Sequence, residues 1–285
     1  MSGRGGWRPY DGLIDLALAE DIGGGDVTTM ATIAADRMAR GTMLAKTPGV
    51  ISGLEVADAV FARVDPAVVF TPVVAEGTWV EPGMVVATVE GPARSVLIGE
   101  RTALNLMQRL SGVATMTSRF MQAIEGTVVR LADTRKTTPG MRWLEKAAVR
   151  HGGGANHRFG LSDGVLIKDN HLAAVGGADR VTRAVQLARE AVPHGLKIEV
   201  EVTTLDELCE ALDAGADIVL LDNMTVEQLA DAVRITQGRA LLEASGGVNL
   251  ATVRAIAETG VDLISVGALT HSAGSMDISL DFELD

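Results

Sequence analysis

The stretch that decides the fold covers residues 133–171 and reads DTRKTTPGMRWLEKAAVRHGGGANHRFGLSDGVLIKDNH. Two short apolar runs lead into its charged ends. Val128-Val129-Arg130-Leu131-Ala132 precedes Asp133-Thr134-Arg135-Lys136, and Gly164-Val165-Leu166-Ile167 precedes Lys168-Asp169-Asn170-His171. Polar groups just past the C-terminal end of a buried parallel strand stand where α/β barrels keep their chemistry. Between Arg130 and Lys168 lie eight of the 25 Lys and Arg residues against three acids, in a chain of net charge -12. A cationic patch inside an acidic protein reads as a pocket for an anion. A solvated basic face is the plain alternative, but it leaves unexplained why cations recur at strand ends around Gly153-Gly154.

Outward from this stretch the same rhythm repeats. Strands are expected at 128–132, 164–168, 197–202, 217–221, 240–244 and 263–266, each followed by a helical segment, as parallel strands joined by helices require. Thr225 with Gln228 forms a capping box for one helix, and Asn249 can cap another. The strand ends carry Arg135, Lys136, Lys168, Glu201, Asp222, Glu243 with Ser245, and Gly267, and Glu201, Asp222 and Glu243 are spaced a steady 21 residues apart. A barrel gathers such ends at one mouth, whereas an open sheet spreads them along a crevice. Six units, with a seventh suspected, predict an incomplete barrel.

Before this region the pattern differs. Residues 13–20 form a short amphipathic helix, and DIGGGDVTT after it reads as a turn-rich connection. Between Arg40 and Glu90, short runs at 41–45, 49–52, 68–74 and 85–89 with one helix at 56–63 predict a separate α+β layer. Within it, AEGTWVEPGMVVATVEG resembles the hairpin of lipoyl and biotinyl carrier domains, with turns at Gly77 and Pro82-Gly83. No lysine lies between Thr47 and Glu100 to carry a prosthetic group, so the hairpin is taken as structural. Residues 96–110 form a helix with Leu97, Leu104, Met107 and Leu110 on one side and Arg101, Asn105 and Gln108 on another. That polar stripe serves either simple solvation or a wall facing a charged ligand or second subunit. At the C-terminus, Met276, Ile278, Leu280 and Phe282 alternate with polar residues, a half-exposed strand. It is expected to return to the N-terminal sheet, giving one domain from 1–110 with 275–285 and another from 111–274.

Forty-seven percent apolar content with only 3% aromatic residues fits a sheet core of Val, Leu, Ile and Ala. The N-terminus MSGRGGWRPYDG has no apolar signal region, so a cytoplasmic location is expected. A pI near 4.9 argues against nucleic acid. Cys209, the only cysteine, excludes an intramolecular disulfide and is expected to pack in the core.

Arg135 and Arg158 offer planar forks for carboxylate or phosphate oxygens, and Lys136 and Lys168 supply compact charges. Such a set calls for a ligand with several negative charges. Glu201 and Asp222 either contribute to a Mg²⁺ site shared with substrate phosphates or neutralise the lysines. The turns Ser245-Gly246-Gly247 and Val266-Gly267-Ala268 let backbone N–H groups approach an oxyanion. His157 and His171 are candidate acids, bases or phosphate donors. Lys168 would suit a Schiff-base aldolase, though a carbonyl substrate has no need of the surrounding cations.

These motifs together carry a resemblance. ERTALNLMQRLSG, DTRKTTPG, KAAVRHGGGANHRFGLSDGVLIKDNH, EVEV, LLDN, EASGG and VGALTHS, in this order, resemble the quinolinate phosphoribosyltransferase family, the nicotinate-nucleotide pyrophosphorylases of NAD synthesis. The resemblance implies an N-terminal α/β sandwich, a seven-stranded incomplete α/β barrel, and a homodimer or multiple of dimers. It further implies that quinolinate and phosphoribosyl pyrophosphate (PRPP) give nicotinate mononucleotide, pyrophosphate and CO₂, with Mg²⁺ on the pyrophosphate. Arg135, His157 and Arg158 would clamp the quinolinate carboxylates, with Thr134 beside them and Arg101 reaching in from the neighbouring subunit. Lys136 and Lys168 would face the phosphoribosyl donor and leaving group. Glu201 and Asp222 would hold ribose hydroxyls and the metal, while Ser245, Gly246 and Gly247 with Val266, Gly267 and Ala268 would hold the 5-phosphate. A phosphoribosyltransferase-like sibling associated with molybdate transport is the alternative within the family, and a non-catalytic lipoyl-like carrier the alternative outside it.

Overall fold

The computed structural model describes residues 7–284. Its contacts divide the chain into two compact units. One takes the residues through Ser118, Thr137–Gly153 and those from Leu269 onward; the other takes Arg119–Lys136 and Gly154–Ala268.

The chain begins with α1 (Asp11–Ile22), α2 (Val27–Thr32), β1 (Met38–Ala45), β2 (Gly49–Val50), α3 (Leu54–Val64), β3 (Val69–Pro72), β4 (Trp79–Val80), β5 (Val85–Pro92) and the 31-residue α4 (Ala93–Ala123). It continues with β6 (Arg130–Ala132), α5 (Arg142–His151), β7 (Val165–Ile167), α6 (Asp169–Val175), α7 (Arg180–Ala191), β8 (Ile198–Val202), α8 (Leu205–Asp213), β9 (Ile218–Asp222) and α9 (Val226–Thr236). The last elements are β10 (Leu241–Ser245), α10 (Val253–Ala257), β11 (Leu263–Ser265), α11 (Ala268–His271) and β12 (Ile278–Leu284).

In the first unit an antiparallel sheet runs β12-β1-β5-β3, and β12 returns to pair with β1 from Ala45↔Ile278 onward. Alternation along β1 buries Ala39, Met43 and Ala45 and leaves Met38 and Arg40 exposed. The lipoyl-type hairpin does not form. β4 pairs with β2, and β5 pairs with β1 and β3. The backbone of Ala45 explains the difference, because it accepts from Gly83 N–H at 2.8 Å and donates to the Met84 carbonyl at 3.0 Å, taking the turn between the two strands. The connection at 21–29 also gains a helix, since Asp26 caps α2 by accepting the Thr29 N–H at 2.9 Å. Gly112 on α4 is required for space: a Cβ there would collide with the Gly274 carbonyl.

Unit 1 also takes in α5, tied to α4 by Arg109 and Glu145. Glu145 is fully buried and accepts from Arg109 Nε at 3.1 Å and Nη2 at 2.8 Å. The Thr138 N–H and hydroxyl donate to it at 3.0 and 2.8 Å. The Arg109 guanidinium donates in turn to the carbonyls of Ala273, at 2.6 Å, and Thr270.

The second unit is built on a six-stranded parallel sheet in the order β6-β11-β10-β9-β8-β7. Runs such as Ile218–Leu221 and Val165–Ile167 are apolar on consecutive positions because both faces of a parallel sheet are covered. The predicted strands recur within two residues of their expected ends. Outside β6, Ala155 makes a single parallel bridge to Ala132. Thr225 and Gln228 form the expected capping box on α9. Asn249 instead heads a turn, its carboxamide accepting from the Ala251 N–H at 2.9 Å. Cys209 is exposed, contrary to the core position expected for it: α8 buries Leu208, Ala211 and Leu212, and the residue next to Leu208 falls on the other side of the helix.

Candidate active site

At the C-terminal ends of the parallel strands the second unit encloses a cavity of about 430 Å³. It lines this space with twelve of the residues singled out from sequence: Thr134, Arg135, Lys136, His157, Arg158, Lys168, Glu201, Asp222, Glu243, Ser245, Gly246 and Gly247. Arg101, His171, Val266, Gly267 and Ala268 are not in the lining. Val266 is buried, its N–H donating to the Ala132 carbonyl at 2.9 Å, and Gly267 and Ala268 lead into α11. Arg101 is exposed on α4 in the first unit.

Strand register explains who meets whom. Residues paired across parallel strands point to the same face. Glu201 and Glu243 both stand opposite Leu220, while Asp222 stands opposite Ser245. The even 21-residue spacing therefore does not make one ring of acids. Glu201 and Glu243 share a level, and Asp222 lies two residues nearer the mouth. Lys168, at the end of β7, reaches Glu201 with Nζ–Oε2 at 3.4 Å. Asp222 accepts from the Asn223 carboxamide at 2.7 Å. Gly246, at φ +91°, occupies backbone space that L side chains rarely enter, and a Cβ there would collide with Asn223. His171 has a local role: its Nδ1 accepts the Lys168 N–H at 2.9 Å.

Beneath the cations lies a cluster the sequence reading did not assemble. His157 Nε2 stands 3.3 Å from Glu199 Oε2 and 3.4 Å from Glu243 Oε2. Both glutamates are almost wholly buried, and each keeps a second oxygen, Oε1, without a hydrogen-bond partner. On the other side of the ring the Arg158 N–H donates to Nδ1 at 2.8 Å. Asp133, fully buried, accepts the His157 N–H at 2.9 Å and the Asn156 carboxamide at 2.7 Å. One clue was available in sequence. In EVEV the period of two puts Glu199 on the face of Glu201.

The charges are correspondingly perturbed. Burial lowers the Arg158 guanidinium from its ordinary value, the adjacent Arg135 charge lowers it further, and Glu199 offsets part of this. Burial pushes the His157 imidazole down, while Glu199 and Glu243, which accept from it, pull it upward. Burial raises Glu199 as well, and Glu243 adds to that. The geometry at Nδ1 opposes the pull on His157. A nitrogen that accepts the Arg158 N–H holds no proton, so the ring carries its one proton on Nε2, toward the two glutamates.

A mouth that presents two guanidinium groups side by side, two ammonium groups and oxygen donors at strand ends defines an α/β protein built to handle a polyanion. Family models narrow the class: residues 26–111 match the quinolinate phosphoribosyl transferase N-terminal domain, and residues 113–281 match its C-terminal domain. The chain belongs to the quinolinate phosphoribosyltransferase family. It is 43% identical over 272 residues to a probable nicotinate-nucleotide pyrophosphorylase [carboxylating] of Bacillus subtilis, covering 95% of this chain and 93% of that one. The nicotinate-nucleotide pyrophosphorylase [carboxylating] of Mycobacterium leprae is 45% identical over 94% of this chain and 95% of its own. Among solved structures, NadC from Streptococcus pyogenes superposes with a TM-score of 0.92 at 39% identity, covering 99% of both chains.

Proposed function

We propose that this chain transfers the phosphoribosyl group of PRPP to the ring nitrogen of quinolinate and releases the 2-carboxylate as CO₂, giving nicotinate mononucleotide and pyrophosphate for NAD synthesis. The observation that carries this is the meeting of Arg135, Arg158, Lys136 and Lys168 with Glu201 and Asp222 in one cavity of a chain from this family. Arg135 and Arg158 hold the two carboxylates of quinolinate, with His157 and Thr134 beside them. Lys136 and Lys168 offset charge on the donor and its leaving group. Glu201 and Asp222 face the same cavity with carboxylate oxygens, a donor set that suits a hard cation and ribose hydroxyls. They would hold Mg²⁺, which when bound neutralises charge on the pyrophosphate. As pyrophosphate leaves, the ribose gains oxocarbenium character, and a neighbouring carboxylate stabilises it. Attack by the ring nitrogen makes a pyridinium; this cationic ring stabilises the electron pair left on C2 when the 2-carboxylate departs as CO₂, and a proton from solvent then adds at C2. Ser245, Gly246 and Gly247 cradle the 5-phosphate; Val266, Gly267 and Ala268, expected to hold it with them, lie outside the cavity lining.

The finer architecture is part of the same reading. We take the parallel sheet as an incomplete barrel of seven strands, the seventh reduced to the bridge at Ala155, and the first unit as an α/β sandwich. For the division 1–110 with 275–285 and 111–274, the break between the two family models supports the boundary near 110, and the pairing of β12 with β1 supports the return of the C-terminal strand; the contact units differ in placing 111–118, 137–153 and 269–274 with the first. The protein works as a homodimer in the cytoplasm, with Arg101 completing the partner's site. Among the described residues no helix is long and apolar enough to cross a membrane.

Incubation with quinolinate, PRPP and Mg²⁺ should yield nicotinate mononucleotide by mass, and no product under these conditions overturns the reading. For Arg101 the test is complementation. Refolding Arg101→Ala together with Lys136→Ala should restore about a quarter of wild-type activity, because about half the dimers are mixed and each has one intact site. No recovery in confirmed mixed dimers would return Arg101 to its own subunit's site.

A further inference from the structure

His157, Glu199 and Glu243 come from three places in the chain: the loop after α5, strand β8 and strand β10. Their polar atoms converge within 4.8 Å of one another. That spacing would also suit a metal ion. The ring settles the matter, because a metal on Nε2 takes the lone pair there and needs the ring proton on Nδ1. Nδ1 is already accepting the Arg158 N–H at 2.8 Å. Nε2 therefore carries the proton and donates it between Glu199 Oε2 at 3.3 Å and Glu243 Oε2 at 3.4 Å.

We propose that Glu199 and Glu243 are positioning residues for the substrate's carboxylates: they lock His157 as the Nε2–H tautomer, and through Nδ1 the ring fixes the backbone of Arg158. Three constraints meet at this loop. Asp133 holds the His157 backbone N–H, the two glutamates hold the ring, and the Arg158 guanidinium donates to the Gly164 carbonyl at 3.1 Å. Arg158 is thereby set close to Arg135, in an array that like charges would otherwise open. The glutamates also supply the buried negative charge that makes the cationic array tolerable. A prearranged pair of forks binds a dicarboxylate without a reorganisation cost at the moment of binding. Both ring nitrogens of His157 are engaged by the protein, so His157 acts on the substrate through the arginine it orients.

This inference rests on reading the cavity as the quinolinate site, and its first test does not. In ligand-free protein labelled with ¹⁵N-histidine, the resonances lost in His157→Asn should report one pyrrole-type nitrogen, Nε2, and one pyridine-type nitrogen, Nδ1. Two pyrrole-type nitrogens, or a shift of Nε2 on adding Zn²⁺, would overturn the proposal. The second test is a split in binding. Glu199→Gln and Glu243→Gln should raise the KM and dissociation constant for quinolinate roughly 10- to 100-fold, as loss of an orienting partner does, and leave the KM for PRPP unchanged. Glu243→Gln should retain part of the affinity lost in Glu243→Ala, because the amide oxygen still accepts from Nε2–H. Wild-type quinolinate affinity in both Gln variants overturns the proposal alone. If the wild-type protein takes up no quinolinate, the functional reading falls and this proposal with it.

Discussion

Two buried charge networks in this molecule differ in how completely they are satisfied. In the first unit, Glu145 and Arg109 spend their polar atoms on one another, on Thr138 and on the carbonyls of Thr270 and Ala273. In the second, Glu199 and Glu243 each keep an unpartnered oxygen, and Arg158 lies against the like charge of Arg135. A closed network of this kind holds helices together. An open one costs stability and is kept where a ligand completes it. The closed network thus marks structure and the open one marks function, although both contain an arginine and a buried glutamate.

The largest effect should come from breaking the closed network. Glu145→Ala leaves the Arg109 charge uncompensated and should cost about 3–5 kcal/mol of stability, read as a lower denaturant midpoint at constant slope. A loss below about 1 kcal/mol would demote the pair to a surface contact. Next comes the open network. Quinolinate carries one carboxylate more than nicotinate, and losing that charge-assisted contact should reduce kcat/KM by about 2–5 kcal/mol. Arg135→Ala should erase the preference without lowering stability, since it removes a like charge from the array. Comparable turnover of the two substrates by the wild-type protein would break the comparison at its functional end.

A smaller effect separates the metal carboxylates from the carboxylate clamp. Asp222→Asn should raise the Mg²⁺ concentration needed for half activity about tenfold, or about 1.4 kcal/mol, with quinolinate affinity unchanged. An unchanged Mg²⁺ titration would reassign Asp222 to charge balance. The smallest effect lies outside both networks. Cys209→Ser should alter stability by no more than about 0.5 kcal/mol, and the native thiol should react readily with an alkylating reagent. Protection of the thiol until unfolding would return Cys209 to the core.

The sequence by itself determined the parallel strands and the residues that follow them. A parallel strand is announced by a local apolar run, and the residues following it arrive at the site wherever neighbouring strands pair. That is why Arg135, Lys136, Lys168, Glu201, Asp222 and Ser245 were legible from position alone. The tertiary structure decided what local pattern does not encode. Glu243 pairs its level with Glu201 across Leu220, not with Asp222, because register is fixed between strands. The partner of His157 is a pair of acids 42 and 86 residues away in sequence (199 - 157 and 243 - 157), chosen by strand order. Likewise, the expected hairpin after Gly77 gave way because Ala45 of β1 supplied hydrogen bonds at its turn. Strand propensity is a property of a few consecutive residues; strand pairing is a competition among all the edges the folded chain presents.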